Sequence, residues 1–133
     1  MAAVPSKDTK PELALRRALH KRGLRFRTHT RDIVGRPDIA NRRRKIAIFV
    51  DGDFWHANPA CWQRRGMDSM GELFPDAKRD YWMTKLQRNV VRDAEVNSQL
   101  ARDGWQVIRV WESELRADLD LVVSSVASAW CSA

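Results

Sequence analysis

The run "KIAIFVD", residues 45–51, limits the fold of this chain more than any other stretch. It is almost continuously apolar and rich in β-branched residues, the pattern of a strand covered on both faces of its sheet. A core strand of this kind ordinarily runs into a plain turn. Here it runs into Asp51, Gly52 and Asp53, and then Phe54, Trp55 and His56. Charges at the end of a buried strand must be paired or must hold a cation. The stretch therefore predicts a buried strand that delivers acids, large aromatics and an imidazole to one sheet edge.

The segments on either side supply partners for that strand. "TKPELALRRALHKRG" predicts a helix, with Thr9 as N-cap, Glu12 three residues on as in a capping box, Leu13, Leu15 and Leu19 as apolar positions, and Gly23 as the stop. "LRFRTH" alternates like a strand, "VGRPDIA" turns into a second strand, and "NRRR" is a basic turn before the third. Residues 52–76 are irregular and polar, a length typical of a functional loop. A long helix over about residues 77–103 ends at Gly104; "WQVIRVW" is a fourth strand, and "ESELRADLDLVVSSVASAW" one closing helix. The order αβββαβα predicts a three-layer α/β domain with a mixed central sheet over residues 9–133, preceded by a flexible lead over 1–8.

Charge narrows the partner. Lys and Arg number 24 against 17 Asp and Glu in 133 residues, a formal net charge of +7. The basic residues cluster in "RRALHKRGLRFR", "NRRRK", "QRR" and "KLQRNVVR", with six tryptophans along the chain. Cations interleaved with aromatics suit phosphate contacts beside stacked bases, so nucleic acid is the expected partner; a solvated basic face with tryptophans in the core is the plainer alternative. The only two cysteines, Cys61 and Cys131, make no disulfide framework. With no bilayer-spanning apolar run and no signal-peptide pattern, a cytoplasmic location is expected.

Asp38 follows the "GRP" turn and opens the second strand, while Asp51 ends the third. If these strands pair as a hairpin across "NRRR", the two carboxylates meet at one edge, within reach of a hard divalent cation such as Mg²⁺. Turn chemistry alone would account for Asp38 but not for the pair. Such an edge is the skeleton of metal-dependent phosphodiester cleavage, and His56 is the nearest candidate base. On the long helix, Lys85, Asn89 and Asp93 recur every fourth residue with Trp82 one turn before, so all four share one face. That face is either a site wall or a salt-bridge ladder.

"VGRPDIA", "IFVDGDFWH", "YWMTKLQRNVVRD" and "GWQVIRVWESEL" together resemble the very short patch repair endonucleases, the Vsr family, in order from about Thr9 to Leu115. The resemblance implies a restriction-endonuclease-like core and Mg²⁺-dependent nicking of duplex DNA beside the T of a T·G mismatch, left by deamination of 5-methylcytosine. It places the family's metal-binding aspartate on Asp38, the carbonyl donor to the metal on Val50 and the catalytic histidine on His56. It also gives Glu12 a supporting place in the site, which competes with the capping box for one side chain. Asp93 becomes the acid that orients the histidine, and Phe54, Trp55 and Trp82 become aromatics that push into the duplex beside the mismatch. Arg36, Lys85 and Asn89 fall among the expected DNA contacts.

The chain departs from the family pattern at identifiable positions. Asp51 stands where the family carries a second histidine, so it either joins the metal shell or leaves the base role to His56 alone. The family's structural zinc positions fall on Asp53, Asn58, Ala60 and Ser113, and Cys61 is out of register, so no structural zinc is expected. Packing through Trp62 and Phe74 would then hold the loop, leaving Asp53 free to add to the acidic site. The expected protein is a monomeric mismatch nickase acting on double-stranded DNA, with possible repair proteins as partners. The alternatives are a defence or restriction-type nuclease without mismatch preference and a non-cleaving binder of distorted DNA.

Overall fold

A computed structural model describes residues 9–132; the lead expected over residues 1–8 lies outside them. Helix α1 spans Lys10–Lys21 and ends in Gly23, whose φ of 81° lets the Leu24 and Gly23 amides reach back to the carbonyls of Leu19 and His20. Its start differs from the capping box expected from the sequence. Thr9 makes no side-chain cap, Pro11 occupies the first turn, and the Glu12 carboxylate is engaged by Arg16 at 2.5 Å. A buried acid with a guanidinium one turn away gains more from that ion pair than from a backbone amide.

Strand β1 (Arg27–Thr28) is much shorter than the alternation predicted: positive φ at His29 ends it on one side, and on the other the Arg25 carbonyl is taken by the Asn41 side chain at 2.9 Å rather than by a backbone ladder. Strands β2 (Ile39–Asn41) and β3 (Ile46–Asp51) form the expected hairpin across "RRRK", with Ile39 opposite Ile48 and Asn41 opposite Ile46. β3 then pairs in parallel with β4 (Gln106–Trp111), placing Phe49 beside Arg109 and Asp51 beside Trp111. The four strands form one mixed sheet in the order β1-β2-β3-β4. A parallel neighbour requires a long crossover. The chain supplies it through the loop after Asp51, which holds a short helix α2 (Ala60–Gln63) and a 3₁₀ turn (Met70–Leu73), and then through α3 (Asp76–Arg102).

Alternation along β3 builds two cores. Ile46 and Ile48 point to the layer formed by α1, α4 (Glu112–Ala117) and α5 (Leu119–Ser132), where they meet Leu15, Leu19, Leu115, Val123 and Trp130. Ala47 and Phe49 point to the other layer, where they meet Leu100 and Val96 of α3. This is the three-layer, restriction-endonuclease-like α/β arrangement expected. The closing segment is two helices, not one: Asp118 leaves helical geometry, and its carboxylate accepts the Leu121 amide at 3.1 Å, capping α5. No helix among the described residues is long and apolar enough to cross a membrane.

Candidate active site

Because Ala47 and Phe49 face α3, Asp51 at the end of β3 faces it too, and parallel pairing brings Arg109 of β4 to the same side. The loop after Asp51 folds back sharply. The His56 amide bonds to the Gly52 carbonyl at 3.1 Å, and Ala57 takes a φ of 56°. The turn carries the His56 ring to α3, where Nδ1 lies 2.5 Å from Asp93 Oδ2 and 3.8 Å from Asp51 Oδ1. A carboxylate at Nδ1 fixes that nitrogen as the proton-bearing one and leaves Nε2 as an acceptor.

Arg109 was not singled out in the sequence, yet it organises this cluster. Its Nη1 donates to both Asp51 oxygens at 3.0 and 3.1 Å, its Nε donates to Asn97 Oδ1 at 2.7 Å, and Nη1 lies 3.6 Å from Asp93. The guanidinium sits 4.1 Å from the centroid of the Phe49 ring. A detectable signal existed: in "QVIRV" a cation interrupts a buried strand, on the face Asp51 occupies once β3 and β4 align. Burial raises the Asp51 carboxyl above its ordinary value, against the pull of His56 and Arg109.

Asp38 sits at the same sheet edge. Its amide extends the ladder to Ile48, and its Oδ2 accepts the Val50 amide at 2.7 Å. Burial, followed by the charges of Glu12 and Asp51, pushes its carboxyl up to about 7 despite that amide bond. Glu12, only 2% exposed, approaches Asp38 from the α1 side. Asp38, Val50, Asp51, His56 and Asp93 line one cleft of about 450 Å³, with Arg36, Arg92 and Arg109 around them. Carboxylates crowded together at such cost fit a hard divalent cation, which relieves both desolvation and mutual repulsion. A second grouping, Asp51, His56 and Asp93, also brings its possible ligand atoms within 4.8 Å of one another.

The helix face predicted from Lys85, Asn89 and Asp93 turns to the loop rather than forming a ladder with itself. Lys85 Nζ lies over the Trp55 and Trp82 rings at 5.2 and 5.7 Å, and Asn89 donates to the Trp55 carbonyl at 2.9 Å. Phe54, Trp55 and Trp82 are half-buried against one another, at centroid distances of 5.1, 5.8 and 6.0 Å. Phe74 stacks on Trp82 beneath them, whereas Trp62 lies half-buried on α2.

Asp53 is not free to join the acidic site. It accepts from Asn58 at 2.7 Å, from the Ser113 amide at 3.0 Å and from the Ser113 hydroxyl, while Asn58 Oδ1 takes the Ala60 amide at 3.1 Å. Burial works to raise this carboxyl, but the bonds from Ser113 and Asn58 outweigh it and hold it below its ordinary value. Asp53, Asn58, Ala60 and Ser113 thus converge as a hydrogen-bonded clasp between the aromatic loop and the start of α4.

Comparison with known proteins agrees with this architecture. Residues 1–63 match the family model described as DNA mismatch endonuclease Vsr. The chain is 40% identical over 115 residues to the Type II nicking enzyme V.NmeDIP of Neisseria meningitidis serogroup C, covering 86% of this chain and 72% of that protein. It is 42% identical over 115 residues to the Type II nicking enzyme V.XorIIP of Xanthomonas oryzae pv. oryzae, covering 86% and 78%. To the DNA mismatch endonuclease Vsr of Escherichia coli it is 35% identical over 118 residues, covering 87% and 69%. An acidic, His-containing edge on a mixed sheet between helical layers, in a chain similar over most of its length to proteins named nicking enzymes and mismatch endonuclease, defines a DNA endonuclease. The chain belongs to the Vsr family.

Proposed function

We propose that the protein is a Mg²⁺-dependent nickase that cuts one strand of duplex DNA at T·G mismatches left by deaminated 5-methylcytosine. Residues 9–133 act as a single, monomeric catalytic unit. The observation that carries the reading is the loop 52–56, which sets His56 against Asp93 at 2.5 Å while packing Phe54 and Trp55 onto Trp82 of the same helix.

Asp38 and the Val50 carbonyl would hold the cation, with Asp51 as the adjustable member because Arg109 already occupies both its oxygens. Glu12, beside Asp38 on the α1 side, would support the cation's hydration. When bound, Mg²⁺ supplies charge stabilisation at the scissile phosphate and a more acidic water. His56 accepts the proton of the attacking water at Nε2, and Asp93 stabilises the imidazolium that results. Arg36, Lys85 and Asn89 flank the DNA. Phe54, Trp55 and Trp82 enter the duplex at the mismatch, where an already weakened step costs least to unstack.

A second reading draws on the relatives named Type II nicking enzymes: a nickase of a restriction system that cuts paired DNA as readily as mismatched. Strand-specific nicking of end-labelled duplexes carrying T·G or T·A at one position, with Mg²⁺ or EDTA, separates the two for wild type and Asp38→Ala. The mismatch reading expects a Mg²⁺-dependent nick at T·G alone that disappears in Asp38→Ala. Equal nicking of T·A overturns mismatch specificity, and binding without a nick under any condition overturns cleavage.

A further inference from the structure

Much of the positive charge of "RRALHKRGLRFR" lies away from the active cleft. His20, Arg25, Phe26 and Arg27 join Asn41 and Arg42 around a separate cleft of about 610 Å³. Arg27 pairs with Ala40 and Thr28 with Ile39, so this cleft opens at the end of β1 and β2 opposite Asp38. Three residues of strand set the two about 10 Å apart along the chain.

The cleft is built rather than merely basic. Asn41 Nδ2 holds the Arg25 carbonyl at 2.9 Å, and Arg42 is oriented by Asp32 at 2.5 and 2.6 Å. Phe26, half-buried against the core, lies under the exposed His20 ring, with centroids 4.3 Å apart and planes inclined by 44°. Arg25 and Arg27 are exposed on either side of Phe26, and no acid lines the cleft among the described residues. Phe26 packs on the α1-side core while Arg27, opposite Ala40, faces the other side, so the exposed His20 ring and the two guanidinium groups meet around the edge of β1, an arrangement that suits a nucleobase beside its neighbouring phosphodiesters.

We propose that this cleft is a second nucleic-acid site that takes an unpaired stretch of a strand, one base stacked on the exposed His20 ring that Phe26 supports and the adjacent phosphates on Arg25 and Arg27. An acidic peptide would satisfy the arginines but leave the ring pair unused. The site needs neither metal nor cleavage, so it stands or falls independently of mismatch specificity.

The test is binding of a labelled oligothymidylate to the full chain in EDTA across a salt series, for wild type and the Arg25→Ala/Arg27→Ala double variant, with circular dichroism to confirm folding. Loss of two phosphate contacts on a single strand should flatten the slope of log K against log salt by about 1.4 and weaken binding at least about tenfold at low salt. Photocrosslinking of an iodouracil-substituted oligonucleotide should map to the 20–27 peptide. An unchanged slope in the double variant, crosslinks confined to the 54–82 region, or displacement by polyglutamate but not by competing oligonucleotide would each overturn the proposal.

Discussion

His56 depends on Asp93 for both orientation and tautomer, so Asp93→Asn is expected to lower the single-turnover nicking rate about a hundredfold or more while leaving duplex affinity within a few-fold. Rapid-quench nicking at saturating DNA checks the split; equal losses in rate and affinity would sink the orienting role. Asp38 carries a pH dependence of defined sign. With its carboxyl near 7 in the folded chain against an ordinary 3.8, the folded protein keeps a proton that the unfolded chain has released. Metal-free stability contributed by this group therefore falls as pH rises from about 4 to about 7 and stays low above that. Mg²⁺ should raise the thermal midpoint little at pH 5 and clearly at pH 8, and Asp38→Asn should flatten both trends. Thermal scans in EDTA and in Mg²⁺ over this range decide it, and a Mg²⁺ effect independent of pH would count against Asp38 as ligand. At this scale the acids and His56 were legible because they interrupt an apolar pattern. The bonds from Arg109 to Asp51 and from Ser113 to Asp53 were not, since these partners lie more than fifty residues apart and only the strand register and the start of α4 bring them together.

Elements were legible where a period repeated and illegible where one side chain broke it. β3 and β4 carry apolar runs, α3 is a long stretch without Gly or Pro, and all three lie close to their expected bounds. The apolar spacing of the closing segment runs straight through Asp118, and only its bond to the Leu121 amide ends one helix and starts the next. Asp118→Ala removes that cap and should cost about 1 kcal/mol, read as a drop of a few degrees in thermal midpoint. Gly35 is a harsher position. Its φ is 76°, and a Cβ there would collide with Val96 Cγ1, in the layer that closes the cleft. Gly35→Ala should therefore cost about 2–4 kcal/mol, part of it from the left-handed backbone and part from overpacking, and Val96→Ala in the same chain should recover only the second part. Chemical denaturation of the single and double variants measures both; full recovery would show that backbone strain contributes nothing.

The whole molecule is unevenly anchored. The α1, α4 and α5 layer covers the sheet with a continuous apolar core, whereas α3, 27 residues long, buries only Leu86 and Leu100. Residues 76–93 are tied down chiefly by contacts to the loop: Lys85 on the tryptophans, Asn89 on the Trp55 carbonyl and Asp93 on His56. Hydrogen exchange should accordingly show the amides of residues 76–90 opening well before those of β3, and an Asn89→Ala, His56→Ala chain should widen the gap. Uniform protection across both regions would contradict this division. The active site thus spans the boundary between a firmly packed half and a half secured mainly by polar and aromatic contacts.

The aromatic cluster has a thermodynamic consequence for whatever it meets. Phe54, Trp55, Trp82 and Phe74 already satisfy one another edge to face and in a stack. A partner that separates them must first give back about 0.5–1.5 kcal/mol for each ring pair. Because part of their surface is already withdrawn from water, the heat-capacity change on binding should be smaller than four free aromatic side chains would produce. Four rings held in mutual contact thus trade tightness for discrimination, since only a partner whose own stack yields cheaply returns more than the cluster surrenders.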